Sequence, residues 1–348
     1  MEKEIFEKIN LDLAIKGKVD KDLKELLKKY DNDYLEEIYY YVTNMEFTDK
    51  KIVDKLYYKL IDESTIHNLL YKLKDNEYNL LLKIYNNDGV IQDNFVDSND
   101  YCLLKNLGII HLFNDNNKFY MVIPFDIMDL LNKIEVTKYK DKIEENTKLF
   151  KLAISMLNLY GVVSLIDFVY KCKEYYNYKD IKDIDLYVLN AKGRYTDIMF
   201  MEGVENVYLF KEEYTSDDSF PNIMKIINKY DYNPIELKNI KLEELLKYED
   251  NYYFKSNKYI DEFKTYLLKN GLDDEDVYEL IGSVIEFIRF DYNDLFEFID
   301  EICYENGFDL NEKNIGAVLS YINNIYNNYP IYGNSGWTNI ELILNKNN

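Results

Sequence analysis

The chain has 348 residues, of which 47% are apolar and 16% aromatic, so it can bury a sizeable core and is not disordered. No apolar run approaches the ~18 residues that a membrane-spanning helix needs, and the N-terminus lacks the pattern of a signal peptide. We therefore expect a cytoplasmic protein with no membrane partner. The net charge of −22 disfavours binding to nucleic acid and to anionic membrane surfaces.

Proline and glycine are scarce, with four and twelve in the chain, and this favours a mainly α fold. We predict multi-helix domains that include two winged-helix-like units, each carrying a small β-hairpin. The first predicted domain, at residues 1–137, is helical and contains the first winged-helix-like unit at 76–124. The second winged-helix-like unit occupies 138–213, and an acidic helical domain with an aromatic C-terminal tail occupies 214–348. The oligomeric state is left open by the sequence.

The first winged-helix-like unit opens with an apolar helix that a run of Asn, Asp and Gly residues ends at Gly89. Two apolar β-branched residues follow, and then a helix at 101–107. Runs of β-forming residues at 109–113 and 119–123 are separated by polar residues, which predicts a hairpin.

The second winged-helix-like unit is organised around Gly161-Val162-Val163-Ser164, near the midpoint of the chain. An apolar helix ends at the glycine, two β-branched residues follow, and the serine can cap a new helix. A third helix at 183–189 and a hairpin at 195–210 complete the predicted order of elements.

Negative charge is concentrated in the C-terminal domain, where residues 272–309 contain thirteen carboxylates and one base, Arg289. We expect this region and two aromatic residues of the tail to bind a basic protein partner, because complementary fields speed and select association. The alternative is a solvated helix face that keeps the protein soluble, helped by acids that favour a helix start. The predicted partner-binding residues are Asp273, Asp274, Glu275, Asp276, Glu279, Asp294, Glu297, Asp300, Glu301, Tyr332 and Trp337.

The C-terminal tail carries a recognisable pattern. Its members are Asn328, Pro330, Tyr332, Asn334, Gly336, Thr338, Glu341 and Leu342. The pattern resembles the segment that closes the helical module of SEC-C-motif (YecA-like) bacterial proteins, and the resemblance implies an architecture more than an activity. The Cys-rich zinc motif that usually follows in that family is not found in this sequence, so the resemblance implies no zinc site. The tail either locks the helices together or presents an aromatic patch to a partner.

Catalytic, cofactor and metal motifs are not found in the sequence. It has no phosphate-binding glycine loop, no nucleophile elbow and no Cys or His residues at metal-ligand spacing. His67 and His111 lie among apolar residues, and the three distant cysteines are predicted to be buried free thiols. We therefore predict a protein that is not an enzyme and needs no cofactor. A deep polar pocket that holds either histidine or Arg289 would favour catalysis instead.

Winged helices commonly read DNA through their third helix, so a DNA-binding transcriptional regulator is the alternative function. The candidate recognition helices, at 98–107 and 180–192, carry no net positive charge, and the only arginine near either is Arg194. Proteins need cations to neutralise phosphates and to read bases, so the lack of net positive charge on these helices disfavours nucleic acid as a partner. We predict a non-enzymatic protein-interaction or regulatory protein with an acidic docking surface.

Overall fold

The computed structural model confirms the predicted fold class, because the protein is mainly helical and carries small sheets of three and four strands. The structure describes residues 2–47, 51–178, 182, 184, 186–194, 197–204, 206–216, 219–290 and 295–346. The helices are α1 (Glu2–Leu13), α2 (Leu23–Leu27), α3 (Asn32–Thr43), α4 (Ile52–Leu60), α5 (Glu63–Leu70), α6 (Asp75–Tyr85), α7 (Ser98–Asn106), α8 (Phe125–Lys133), α9 (Lys140–Tyr160), α10 (Leu165–Tyr176), α11 (Phe220–Tyr232), α12 (Leu242–Leu245), α13 (Lys258–Lys269), α14 (Asp274–Arg289), α15 (Leu295–Glu305), α16 (Ile315–Asn328) and α17 (Asn339–Lys346). The strands are β1 (Ile15–Lys16), β2 (Val90–Gln92), β3 (His111–Asp115), β4 (Lys118–Val122), β5 (Val163–Ser164), β6 (Ile198–Glu202) and β7 (Val207–Lys211).

The chain groups into two compact units. The first unit contains residues 1–150 and 185–198, and the second contains 151–184 and 199–348. The three domains predicted from the sequence stay a prediction.

In the first unit, helix α6, strand β2, helix α7 and the β3–β4 hairpin follow one another in the predicted order. The sheet has the strand order β1-β3-β4-β2, with β1 parallel to β3 and the other neighbours antiparallel. The hairpin turns through Asn116 and Asn117, whose φ angles of 54° and 61° are left-handed. Asparagine tolerates that conformation better than most residues, which is why this polar run forms a tight turn.

A buried ion pair holds the segment 185–198 in the first unit. The Arg194 guanidinium donates to both carboxylate oxygens of Glu77, at 2.7 and 3.0 Å, and both side chains are buried. It also donates to the backbone carbonyls of Lys72 and Val188. Removing one member of such a pair leaves the other charge buried and unpaired, so the pair fixes this segment in one position.

The helix predicted at 183–189 needs correction. A short 3₁₀ turn, Leu186–Val188, stands in its place, and Asp183, the expected cap, lies outside the described residues. The turn places the Val188 carbonyl beside Arg194. The contacts of Arg194, and not the helical pattern of the local sequence, therefore determine the conformation of this turn.

In the second unit, helix α9 ends at Gly161, whose φ is +74°. The Ser164 hydroxyl then accepts from the Asp167 N–H at 3.0 Å and caps α10, as predicted. Strand β5 pairs antiparallel with β7 in a sheet of order β5-β7-β6. Helices α13 to α16 bury a separate apolar cluster, and the tail residues Tyr329 and Ile331 belong to it.

Two tyrosines and two glycines join the tail to the end of α9. A Cβ atom on Gly161 would lie 2.3 Å from Cγ of Tyr332, and one on Gly336 would lie 2.6 Å from Cε1 of Tyr160. Each ring therefore occupies the space that a side chain on the opposite glycine would need. We call these four residues, Tyr160, Gly161, Tyr332 and Gly336, the tyrosine–glycine clasp.

Replacing Gly161 by alanine tests the clasp. The new methyl group would overlap the Tyr332 ring, and a left-handed φ strains alanine, so we expect the second unit to lose about 2–4 kcal/mol of unfolding free energy. The emission of Trp337, the only tryptophan in the chain, reports urea unfolding of the tail. Gly316→Ala in α16 is the matched control, because open space surrounds that glycine and a gain of about 0.5–1 kcal/mol is expected. Equal urea midpoints for the two variants would contradict the contact.

Candidate functional site

Four of the predicted partner-binding acids, Asp273 to Asp276, lie at the start of α14. Asp273 caps this helix, because its carboxylate accepts from the backbone N–H groups of Glu275 and Asp276 at 2.9 and 3.0 Å. Asp274 forms an exposed ion pair with Lys264 at 3.0 Å. The first acids of the predicted surface therefore stabilise the helix start in addition to presenting charge.

Five other acids of α14 and α15 form no ion pair with a described residue. Glu279 and Glu286 on α14, and Asp300, Glu301 and Glu305 on α15, are exposed, and no cation among the described residues lies within 4.0 Å of their carboxylates. Glu305 lies in the last turn of α15, where the helix dipole disfavours negative charge. Of the predicted set, Asp294 and the side chain of Glu297 lie outside the described residues.

The two predicted tail aromatics serve the fold. Tyr332 is only 3% exposed, and its ring packs edge-on against Phe290, so the folded unit does not offer it to a partner. Trp337 is half-buried; its indole N–H donates to the Glu236 carbonyl at 2.9 Å, and the Lys238 ammonium lies 5.3 Å from the ring centre. These contacts favour a tail that locks the helices together over a tail that presents an aromatic patch to a partner.

The helix that a winged-helix protein would use to read DNA is largely covered. On α7, Asn99 is exposed, whereas the other side chains are buried or half-buried. The Lys105 ammonium lies 4.6 Å from the Tyr34 ring centre, and Asn106 donates to the Gly193 carbonyl at 2.8 Å. Arg194, the one arginine near a predicted recognition helix, is buried with its carboxylate partner. Neither cation is presented to a nucleic acid.

A cavity of about 1470 Å³ lies within the second unit. It is larger than a typical small-molecule pocket of roughly 300–1,000 Å³. Its walls come from strand β7 and the turn that follows it, the loop at 250–254, helix α14 and the tail. The charged lining residues are Lys211, Glu213, Lys225, Asp250, Glu279, Glu286 and Arg289.

Two of these charged residues are buried cations. Arg289 is 8% exposed, and its Nη2 donates to the Tyr253 carbonyl and contacts the Tyr329 hydroxyl, both at 3.2 Å. Lys211 is 3% exposed and binds the Glu213 carboxylate. Burial lowers the pKa of Lys211, the charge of Glu213 acts against that, and the charge of Arg289 lowers the pKa further.

The wall beside these cations carries hydroxyl groups. The Tyr214 and Tyr332 hydroxyls lie 3.3 Å apart, and the Tyr332 hydroxyl lies 3.5 Å from the Asn158 carbonyl. Burial raises the pKa of both phenols above the ordinary value, so they stay protonated and can donate at neutral pH. From the sequence, a deep polar pocket that holds Arg289 is the feature that would favour catalysis. Arg289 lines this cavity, whose described lining contains no histidine or cysteine, and catalysis stays an untested alternative.

The cysteines and histidines lie apart from this cavity. Burial raises the pKa of Cys172 and of Cys303 to about 12, so their thiols are not activated as nucleophiles. His111 is buried, and its Nδ1 lies 3.0 Å from the Tyr30 hydroxyl. Within the described ranges, no three His, Cys, Asp or Glu side chains group as they would around a metal ion.

His111 makes the stability of the first unit depend on pH. Burial lowers its pKa to about 3, whereas an unfolded histidine titrates near ~6.5, so the unfolded state takes up the proton first. The stability is therefore fully present above pH ~6.5 and is lost as the pH falls towards 3. At pH 5 we expect this histidine alone to lower the unfolding free energy by about 2 kcal/mol relative to pH 7.

Hydrogen exchange of the β3 amides in wild type and in His111→Gln measures that loss. The variant should lose about 2 kcal/mol less than wild type between pH 7 and pH 5, while the control His67→Gln follows wild type. If His111→Gln shows the full wild-type loss, the buried histidine is not its source.

In the part of the chain that the structure describes, no helix has the length and apolar character needed to cross a membrane. Comparisons of the chain with protein-family models, with curated proteins and with solved structures give no match. The resemblance of the tail to SEC-C-motif proteins therefore stays a prediction.

Proposed function

We propose that this chain is a non-enzymatic interaction protein whose second unit docks a basic partner in the cytoplasm. The docking surface is the exposed acidic part of α14 and α15. We define it as Glu275, Asp276, Asp300, Glu301 and Glu305 and call it the acidic face.

The observation that carries this proposal is Glu305, a carboxylate in a position where it does not help the fold. Glu305 occupies the last turn of α15, which contains no basic residue. A carboxylate at a helix C-terminus faces the negative end of the dipole and costs about 0.3–1 kcal/mol. Residues kept at a cost to stability are expected at functional surfaces.

A cationic partner would supply the charge that the acidic face lacks. The carboxylates of Glu275, Asp276, Asp300 and Glu301 have no cation within 4.0 Å among the described residues. A field of one sign steers an oppositely charged protein and raises its association rate, with strong dependence on salt. A purely solubilising charge would need no particular location on the protein surface.

Neutralising the acidic face separates docking from solubility. The docking variant carries Glu275→Gln, Asp276→Asn, Asp300→Asn, Glu301→Gln and Glu305→Gln. The control changes five exposed acids of the first unit in the same way, at Asp33, Glu36, Glu46, Asp129 and Asp141, so the two variants have equal net charge. We measure binding of a fluorescent lysine-rich peptide at low and at moderate salt, and compare basic proteins captured from the native cell.

We expect the docking variant to bind the peptide at least ~10-fold more weakly, while the control stays close to wild type. The captured basic proteins should be lost from the docking variant alone. Equal peptide binding and equal capture by the two variants would contradict the proposal, as would preferential binding of an A+T-rich DNA duplex with a steep salt dependence.

A further inference from the structure

The cavity of the second unit contains a buried positive charge that has no negative partner among the residues that the structure describes. No carboxylate among the described residues lies within 4.0 Å of the Arg289 guanidinium. Its hydrogen bonds to protein use Nη2, and its acceptors are the neutral Tyr253 carbonyl and Tyr329 hydroxyl. The rings of Tyr248 and Tyr329, with centres 6.0 and 5.7 Å from the guanidinium carbon, give it further neutral contacts.

A guanidinium presents five N–H donors in a planar fork that matches the two oxygens of a carboxylate or phosphate. Burying such a charge without a counter-charge is unfavourable, and cation–π contacts offset only part of the cost. Because Arg289 lines a cavity, an oxyanion that enters the cavity can supply the missing charge.

Lys211 and a tyrosine hydroxyl add hydrogen-bond donors to the part of the cavity that Arg289 lines. The Lys211 ammonium is bound to Glu213, so this pair contributes a donor but little net charge. The Tyr214 hydroxyl lines the same cavity and can donate to an anionic oxygen, whereas the Tyr332 hydroxyl donates to the Asn158 carbonyl. The inner wall therefore offers several donors and a net positive charge.

The rim of the cavity has the opposite sign. Asp250, Glu279 and Glu286 line the cavity and are exposed, and Lys225 is the one exposed base beside them in the lining. An acidic rim repels a polyanion, but it attracts a cationic group carried by a ligand whose anionic end lies deeper. The charge order along the cavity thus favours a ligand that carries both signs.

We propose that this cavity binds a zwitterionic small molecule. Its anionic group, a carboxylate or a phosphomonoester, contacts Arg289 and Lys211, and its ammonium group faces Glu279 and Glu286. This inference does not depend on the proposed docking function, and the acidic face defined above excludes the two rim glutamates.

Calorimetric titration of the full chain with two matched pairs of probes tests the proposal. O-phosphoethanolamine is compared with ethyl phosphate, and 4-aminobutyrate with butyrate, each up to ~10 mM because minimal ligands bind weakly. We expect at least one zwitterion to bind, and at least ~10-fold more tightly than its partner without the amine. The phosphate and carboxylate pairs show which oxyanion the site prefers.

Two variants, each of which removes one positive charge, show whether the ligand binds at Arg289. Arg289→Met should weaken binding of the preferred zwitterion at least ~10-fold, whereas Lys269→Met, at an exposed lysine of α13 outside the cavity lining, should leave it within about threefold. Arg289→Lys keeps the charge but loses the fork, and should weaken binding even if the methionine variant does not fold. Binding of no probe by wild type, equal binding by the Arg289 and Lys269 variants, or equal affinity for probes with and without the amine would each overturn the proposal.

Discussion

The second unit depends on the contact between its C-terminal tail and the end of α9. In the tyrosine–glycine clasp, each of two rings fills the space over a glycine that could not accept a side chain there. The interior of a protein is packed as densely as an organic crystal, so such a fit leaves little freedom for either segment. Ser335 reinforces it, because its hydroxyl lies 2.8 Å from the Ile235 carbonyl in a buried position.

The same tail helps to build the cavity. Tyr332 is at once a member of the clasp and a lining residue, and Tyr329 contacts the Arg289 guanidinium. The tail thus links two apolar clusters of the second unit, since Tyr329 belongs to the helical cluster and Tyr332 to the cluster around β7. A tail that packs in this way is part of the cavity wall and not an appendage.

The two arginines of this lysine-rich chain are both buried, and they are used differently. Arg194 has a bidentate carboxylate partner in Glu77, so its charge is satisfied within the first unit. Arg289 contacts neutral groups and faces a cavity. Lysine is a compact ammonium without a planar fork, and both positions use the shape of the guanidinium. That contrast is why one arginine is interpreted as structural and the other as a ligand contact.

Local signals in the sequence predicted much of the helical architecture. Asp273 and Ser164 cap helices as predicted, and Gly161 and Gly89 adopt left-handed φ angles where the helices were expected to end. These features depend on neighbours within one or two turns, which a linear pattern records.

Features that depend on distant residues were not predictable in this way. The Glu77–Arg194 pair joins residues 117 positions apart, and it draws a segment into the first unit where a local helix was expected. The sequence named Arg289 as a residue to find in a pocket, but its contacts with the neutral Tyr253 carbonyl and Tyr329 hydroxyl and the rim of acids follow only from tertiary packing. An aromatic tail can pack inward or face a partner, and the sequence does not distinguish these positions for Tyr332.

Hydrogen–deuterium exchange with detection by mass spectrometry tests whether the clasp holds the tail in the second unit. The peptides to follow in the wild-type chain are those that cover 156–164 and 328–337. If the tail is an integral part of the second unit, both peptides should be protected as strongly as those of α13 and α14 and should lose protection together with them as urea is added. Rapid exchange of the tail peptide while α13 and α14 stay protected would show that the tail is not held by the clasp, and would contradict the account.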